Sequence, residues 1–372
     1  MRVLFIVYYL DPAISVGAHR LTYWAKNLAR MGEDISVEVI TAINGEEELS
    51  GVNKVHVVPN GKPGSTIGIA DEGFTWKAHL LEYIEQMDFN FDWIIMSGGP
   101  FMHFGITKHL KAEYGTRVLL DFRDPFARNP RFDNSYLKIA IKSYYEKQFI
   151  KSADQIVTVN DLCVDLLRYR GVDNYKYAII ENGYDDTVLD EVQSTVGEKA
   201  GIRLIYSGTF FDDRNPSTFV KILSEDEFSS AFEFIHLGKP SSHLEPFKDK
   251  TNINELGLKP YAEMLQDVAN ADVGLIFTSG NAFESTTKIF DYIGLKKAIL
   301  IVTDGSVKTG NLHRITRSYP KVYWCKNNSE SIRQILNEMS NADLNVSYPE
   351  RETHSRHAGL KKLAALLNID TQ

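Results

Sequence analysis

The sequence predicts an α/β protein built from two Rossmann-like, doubly wound domains that face each other across a cleft. Three observations predict it. Short apolar, β-branched runs alternate with helical periodicities; a polar stretch interrupts this alternation once, after which it restarts; and 372 residues suffice for two separate cores.

The opening run, residues 3–7 (VLFIV), is continuously apolar, as a parallel strand covered on both faces requires. Leu21, Trp24, Ala25 and Leu28 then recur at i, i+3, i+4 and i+7, one face of a helix that Gly32 ends. Further strands are expected at 36–41, 55–58, 93–96, 118–120, 155–159 and 178–180, with helices around 76–87, 103–113, 135–152 and 161–169. Residues 190–201 (DEVQSTVGEKAG) nearly lack large apolar groups and read as a linker. Beyond it, strands at 203–206, 233–237, 273–277, 298–302 and 322–324 alternate with helices at 217–223, 261–270, 288–295 and 329–339. The expected division is 1–184, 185–350 and a C-terminal segment 351–372, whose amphipathic helix at 357–367 is placed to pack back on the first domain.

A formal charge of -8 argues against nucleic acid as a partner, because duplex affinity rests on neutralising phosphates. The two cysteines, Cys163 and Cys325, have no CxxC context, so neither a zinc ribbon nor a disulfide framework is expected. Reduced thiols, a start unlike a signal peptide and no apolar run near ~20 residues point to a cytoplasmic protein.

Open α/β sheets bind ligands at the carboxyl ends of their strands, so the loops after the strands are where chemistry is expected. The loop after the first strand is long and holds one glycine, Gly17, which argues against the GxGxxG turn of a dinucleotide site. Gly17 either opens the helix or lets a ligand approach its N-terminus, with Arg20 one turn on. Ser97-Gly98-Gly99-Pro100 leaves backbone amides for a ligand, and His103 either donates to a sugar hydroxyl or phosphate or sits on the surface. Asp121-Phe122-Arg123-Asp124-Pro125 places a cation between two anions, as a cleft rim or simply an ion-paired turn.

In the second half, Gly208 and Thr209 follow a strand, and Arg214 offers a bidentate grip on phosphate. Asp212 and Asp213 read as helix-start acids, since adjacent residues of an extended segment point apart and form no DxD metal cradle. The richest loop runs from Phe277 to Thr287. Glu284, Ser285, Thr286 and Thr287 lead into a helix whose first turn carries Lys288, and Asp291 lies on the same face to accept ribose hydroxyls. On helix 135–152, Lys138, Lys142, Lys147 and Lys151 accompany Tyr136, Tyr144 and Tyr145, the composition of either a membrane-surface helix or a solvated one.

Taken in order, these stations resemble the nucleotide-sugar glycosyltransferases of family 4, with the GT-B fold. The resemblance rests on SGGP, on RDP after the fifth strand and on Glu181-Asn182-Gly183-Tyr184-Asp185. Gly257-Leu258-Lys259-Pro260-Tyr261, Asn270-Ala271-Asp272-Val273-Gly274 and Thr287-Lys288-Ile289-Phe290-Asp291-Tyr292-Ile293-Gly294 complete it. It implies that Arg214 and Lys288 hold the donor diphosphate. It also implies that Asp291 stands at the last acid of the family's E-x7-E motif, the one that binds ribose. Asp replaces Glu there, and the first acid's position is Phe283, with Glu284 displaced by one.

The implied activity is a metal-independent, retaining, hexosyltransferase-type transfer from a nucleotide-diphosphate sugar to a saccharide or lipid-linked acceptor. No cofactor beyond that co-substrate is expected. The implied setting is bacterial surface polysaccharide or glycolipid assembly, with peripheral contact to the inner face of the membrane. His103, Arg214 and Lys288 are the expected catalytic residues. Gly17, Gly208, Thr209, Glu284 to Thr287 and Asp291 are expected on the donor, and Arg20, Arg123 and Asp124 on the acceptor side. The alternatives are a sugar-nucleotide epimerase of the same build, or a non-catalytic nucleotide-sugar-binding assembly protein.

Overall fold

The computed structural model describes residues 1–10, 16–43, 49–61, 65–66, 69–130, 135–195, 201–211 and 214–369. The loop 11–15 and the acids Asp212 and Asp213 lie outside them. The chain divides into two compact units, Met1–Asn182 with Ala358–Gln372, and Gly183–His357.

The strands of the first unit are β1 (Arg2–Tyr9), β2 (Ser36–Ile43), β3 (Lys54–Val57), the small hairpin β4 (Ser65–Thr66) and β5 (Ile69–Ala70), β6 (Trp93–Ser97), β7 (Arg117–Phe122), β8 (Gln155–Thr158) and β9 (Tyr177–Ile179). Its helices are α1 (Val16–Leu28), α2 (Gly73–Gln86), α3 (Thr107–Tyr114), α4 (Tyr136–Ser152) and α5 (Asp161–Leu167). Seven strands form one sheet in the order β3-β2-β1-β6-β7-β8-β9, and the neighbours pair in parallel.

The second unit contains α6 (Asp186–Leu189), β10 (Ile202–Ser207), α7 (Ser217–Leu223), α8 (Asp226–Ser229), β11 (Phe232–Leu237), β12 (Ile253–Glu255) and α9 (Tyr261–Asn270). It continues with β13 (Val273–Thr278), α10 (Lys288–Gly294), β14 (Ala298–Thr303), α11 (Gly310–Thr316), β15 (Val322–Lys326) and α12 (Ser329–Ser340). Six strands form its sheet in the order β12-β11-β10-β13-β14-β15, again parallel. Both sheets are thus the doubly wound α/β kind that the sequence predicts.

Alternation along β1 explains its unbroken apolar run. Leu4, Ile6 and Tyr8 enter one core with Trp76, Leu80 and Phe104, while Val3, Phe5 and Val7 enter another with Leu21, Trp24 and Leu28. The final helix, α13 (Arg356–Leu366), joins the second of these cores through Leu360, Leu363 and Ala364, followed by Leu367. The C-terminal helix therefore packs on the first unit, as expected.

The expected helix 103–113 is in fact a 3-10 turn, Met102–Ile106, followed by α3. Gly105 is a poor helix residue, and Asp71 takes the amides of Phe101 (2.9 Å) and Met102 (3.0 Å), holding the entry tight. The short elements β4, β5, β12 and α11 had no clear periodicity from which to be read.

Candidate functional site

In each sheet the strand order reverses beside one strand, β1 with β6 in the first and β10 with β13 in the second. Loops leaving such switch points open a crevice at the carboxyl edge.

In the second unit the two loops are 208–216 after β10 and 279–287 after β13. Gly208 has φ +141°, and a Cβ there would lie 2.6 Å from Lys288 Cε and 2.7 Å from Nζ, so only glycine lets the lysine cross the backbone here. The Lys288 ammonium stands 5.0 Å from the Tyr206 ring centroid, and Tyr206 stacks on Phe210 at 4.3 Å. His236 is fully buried, donates from Nε2 to the Gly208 carbonyl at 2.8 Å, and places Nδ1 2.9 Å from the Glu255 carboxylate. The Glu255–His236–Gly208 chain fixes the loop from behind. Sequence reasoning missed His236 because its partners lie 28 and 19 residues away; the only signal was a histidine inside an apolar strand run.

The Arg214 guanidinium lies 2.5 Å from one Glu284 oxygen, and the Thr278 hydroxyl donates to the other. Glu284 is 2% exposed, buried in a loop held by Asn311, whose amide donates to the Ala282 carbonyl at 2.7 Å. Burial of this pair demands mutual compensation and leaves Arg214 with one face toward Phe211, 5.8 Å from its ring centroid. Thr286 is buried, and the inward Ser285 hydroxyl has no hydrogen-bond partner among the described residues. The Thr209 carbonyl accepts from the Tyr206 hydroxyl at 3.2 Å.

Asp291 is 7% exposed, and one of its carboxylate oxygens accepts from the Tyr261 hydroxyl at 2.7 Å. Tyr261 is pushed well above its ordinary pKa, by burial first and then by Asp291. Gly208, Thr209 and Arg214 follow β10, while Glu284, Ser285, Thr286 and Thr287 follow β13 and lead to Lys288, the first residue of α10.

The first unit departs further. Arg20 is 3% exposed, its guanidinium donating to Asp121 and, at 2.8 Å, to the Ile180 carbonyl. It is an internal ion pair and not an acceptor contact. Asp121, which also accepts from Ser97, is fully buried, and the cation hydrogen-bonded to it is Arg20. Arg123 instead donates to the Gly98 carbonyl at 2.9 Å, and Asp124 is half-buried. The first two amides after SGGP, at Phe101 and Met102, do not await a ligand, because Asp71 accepts both, together with the Gly73 amide. Burial raises the Asp71 pKa while those bonds lower it. Asp71 carried no sequence signal, being separated from Phe101 by 30 residues.

His103 is another correction. It has no exposed surface, lies 5.1 Å from Trp76 and 4.9 Å from Phe104 between ring centroids, and does not reach a ligand. Burial pushes its imidazole down to about 3, so it is neutral at neutral pH. Gly17 lies in the first turn of α1. Among the described residues no group of three or more His, Cys, Asp and Glu side chains is arranged to hold a metal, and no helix is long and apolar enough to cross a membrane.

Residues 17–188, just under half of the chain, match the family model Glycosyltransferase Family 4. A search of curated protein sequences gave no significant match. Among solved structures, sucrose-phosphate synthase from Thermosynechococcus elongatus is similar with a TM-score of 0.73 at 12% identity, covering 99% of this chain and 98% of that one. A glycosyltransferase from Rickettsia africae has a TM-score of 0.69 at 15% identity, covering 99% and 97%. Alr3699/HepE from Anabaena, in complex with UDP-glucose, has a TM-score of 0.65 at 11% identity, covering 99% of each chain. The two parallel α/β units are those of the GT-B fold, and residues 17–188, most of them in the first unit, are similar to the glycosyltransferase family 4 model.

Proposed function

We propose that the protein transfers a sugar from a nucleotide-diphosphate sugar to a saccharide or lipid-linked acceptor, with retention of anomeric configuration and without a metal. The setting we propose is bacterial surface polysaccharide or glycolipid assembly, at the inner face of a membrane. The observation that carries the reading is the basic pair at the second switch point: Lys288 laid across Gly208, and Arg214 poised on Glu284.

In the proposed transfer the bond from the anomeric carbon to the diphosphate oxygen breaks, and its electron pair stays with the departing nucleotide. The acceptor oxygen bonds the same carbon and passes its proton to the departing diphosphate oxygen. Negative charge therefore collects on the diphosphate, where preorganised cations stabilise the transition state more than the ground state. Glu284 holds the Arg214 fork in orientation before the donor arrives, and Asp291 acts by fixing Tyr261. The match of residues 17–188 to the family model and a neighbour solved with UDP-glucose support a uridine nucleotide sugar as the first donor to try.

The test is a panel of UDP-, GDP- and ADP-sugars, following free nucleotide and sugar identity together. Acceptor-dependent nucleotide release supports transfer. An isomerised sugar still on its nucleotide points instead to epimerisation, and binding without turnover to an assembly role. Lys288→Ala is expected to lower turnover by about 10²–10³-fold; unchanged turnover removes the basic pair from the mechanism.

A further inference from the structure

A cavity of about 580 Å³ lies wholly within the first unit, between α2, the turn Met102–Ile106 with α3, and the second half of α4. It is separate from the loops of the second unit that are assigned above to the donor. Its walls include Met102, Phe104, Tyr145 and Phe149, an aromatic and thioether surface suited to a hydrocarbon chain. Its lining also holds three cations, Lys77, Lys108 and Lys151, one from each helix. Lys77 lies 4.9 Å from the Phe74 ring centroid, and none of the three forms an ion pair with a carboxylate among the described residues.

Three lysines without counter-charges around an apolar pocket are complementary to an anionic head carrying a hydrocarbon tail. Beside the pocket, α4 presents Tyr144 at 63% exposure and, nearer its start, Tyr136 at 94% and Leu137 at 68%. These apolar groups are interleaved with Lys138 and Lys147 rather than segregated from them, which suits the headgroup layer of a bilayer. Gly105 opens the pocket: a Cβ there would meet only Phe149 Cε1 at 3.7 Å.

We propose that this pocket binds a lipid phosphate, its chain over Phe104 and Phe149 and its phosphate on Lys77, Lys108 and Lys151. The site rests on the transferase reading only for why such a lipid is useful, as an acceptor or as an anchor near one. Lipid binding is measured without any nucleotide sugar, so its failure and the failure of the transferase reading are separately visible.

The experiment uses the full chain, with vesicles of phosphatidylcholine alone or mixed with phosphatidic acid, short-chain soluble phosphatidic acid, and inorganic phosphate. The expected result is co-sedimentation with the phosphatidic acid vesicles, saturable binding of the short-chain lipid, and no competition by inorganic phosphate at matched concentration. Lys108→Glu with Lys151→Glu is expected to weaken vesicle binding by about five-fold or more per lysine. Gly105→Leu, which fills the pocket and leaves every lysine in place, is expected to abolish binding of the short-chain lipid. Circular dichroism and thermal unfolding establish that both variants are folded. Equal binding to the two kinds of vesicle, wild-type binding by either folded variant, or full displacement by inorganic phosphate overturns the proposal.

Discussion

His103 and Arg20 are buried polar groups with different consequences. An imidazole held down to about 3 in the fold titrates near 6.5 once unfolded, so between these values the unfolded chain binds the extra proton. The stability that depends on keeping His103 neutral is fully present above pH ~6.5 and is lost as pH falls toward 3, by up to ~1.4 kcal/mol per pH unit. His103→Phe is expected to flatten the acid limb of a denaturation series over pH 4–6 by about one proton. An unchanged limb shows that the ring is not enclosed. Arg20 is compensated instead, so Arg20→Met leaves the buried Asp121 without its ion-pair partner; urea unfolding is expected to show a loss of about 3–5 kcal/mol. Neither environment was legible in sequence. Arg20 meets Asp121 across 101 residues, and spacing predicts neighbours on one element, not partners across a sheet.

At the scale of elements, the long parallel strands were legible because burial on both faces forces a continuous apolar run. β13, VGLIFT, is buried at every position. The loops beyond the strands were legible as places, since the carboxyl edge at a switch point is a general location. Their internal bonding was not, because turns are closed by single residues such as Asp71, His236 and Asn311 brought from elsewhere. His236 tests this point as a positioning residue for the loop at Gly208. His236→Leu is expected to raise the donor KM by about tenfold with a smaller effect on kcat, as for one lost hydrogen bond to a loop that must be preformed. His236→Gln retains an N–H for the Gly208 carbonyl and is expected to recover most of the loss. An equal fall in kcat for both variants assigns the residue to general stability instead. The short helix α10 was read at the right place, yet the orientation of Asp291 within it depends on Tyr261, 30 residues earlier.

At the scale of the whole molecule, the repetition of strand and helix announced two units, and the amphipathic pattern of the last helix announced that the chain returns to the first of them. The second unit is one continuous segment, Gly183–His357, whereas the first is closed by residues that follow it. Leu360, Leu363, Ala364 and Leu367 are at most 1% exposed, and removing them opens the core beneath Val3, Phe5 and Trp24. A variant ending at His357 is expected to lose on the order of 5 kcal/mol from the first unit alone. Calorimetry should then show one thermal transition moved down and the other unmoved; a single transition shifted as a whole contradicts the division. The same arrangement orders events on the ribosome. The first unit emerges early but keeps an uncovered hydrophobic face while all of the second unit is translated. The late segment can fold before the early one is sealed, and throughout that interval the nascent chain presents a sticky surface to chaperones.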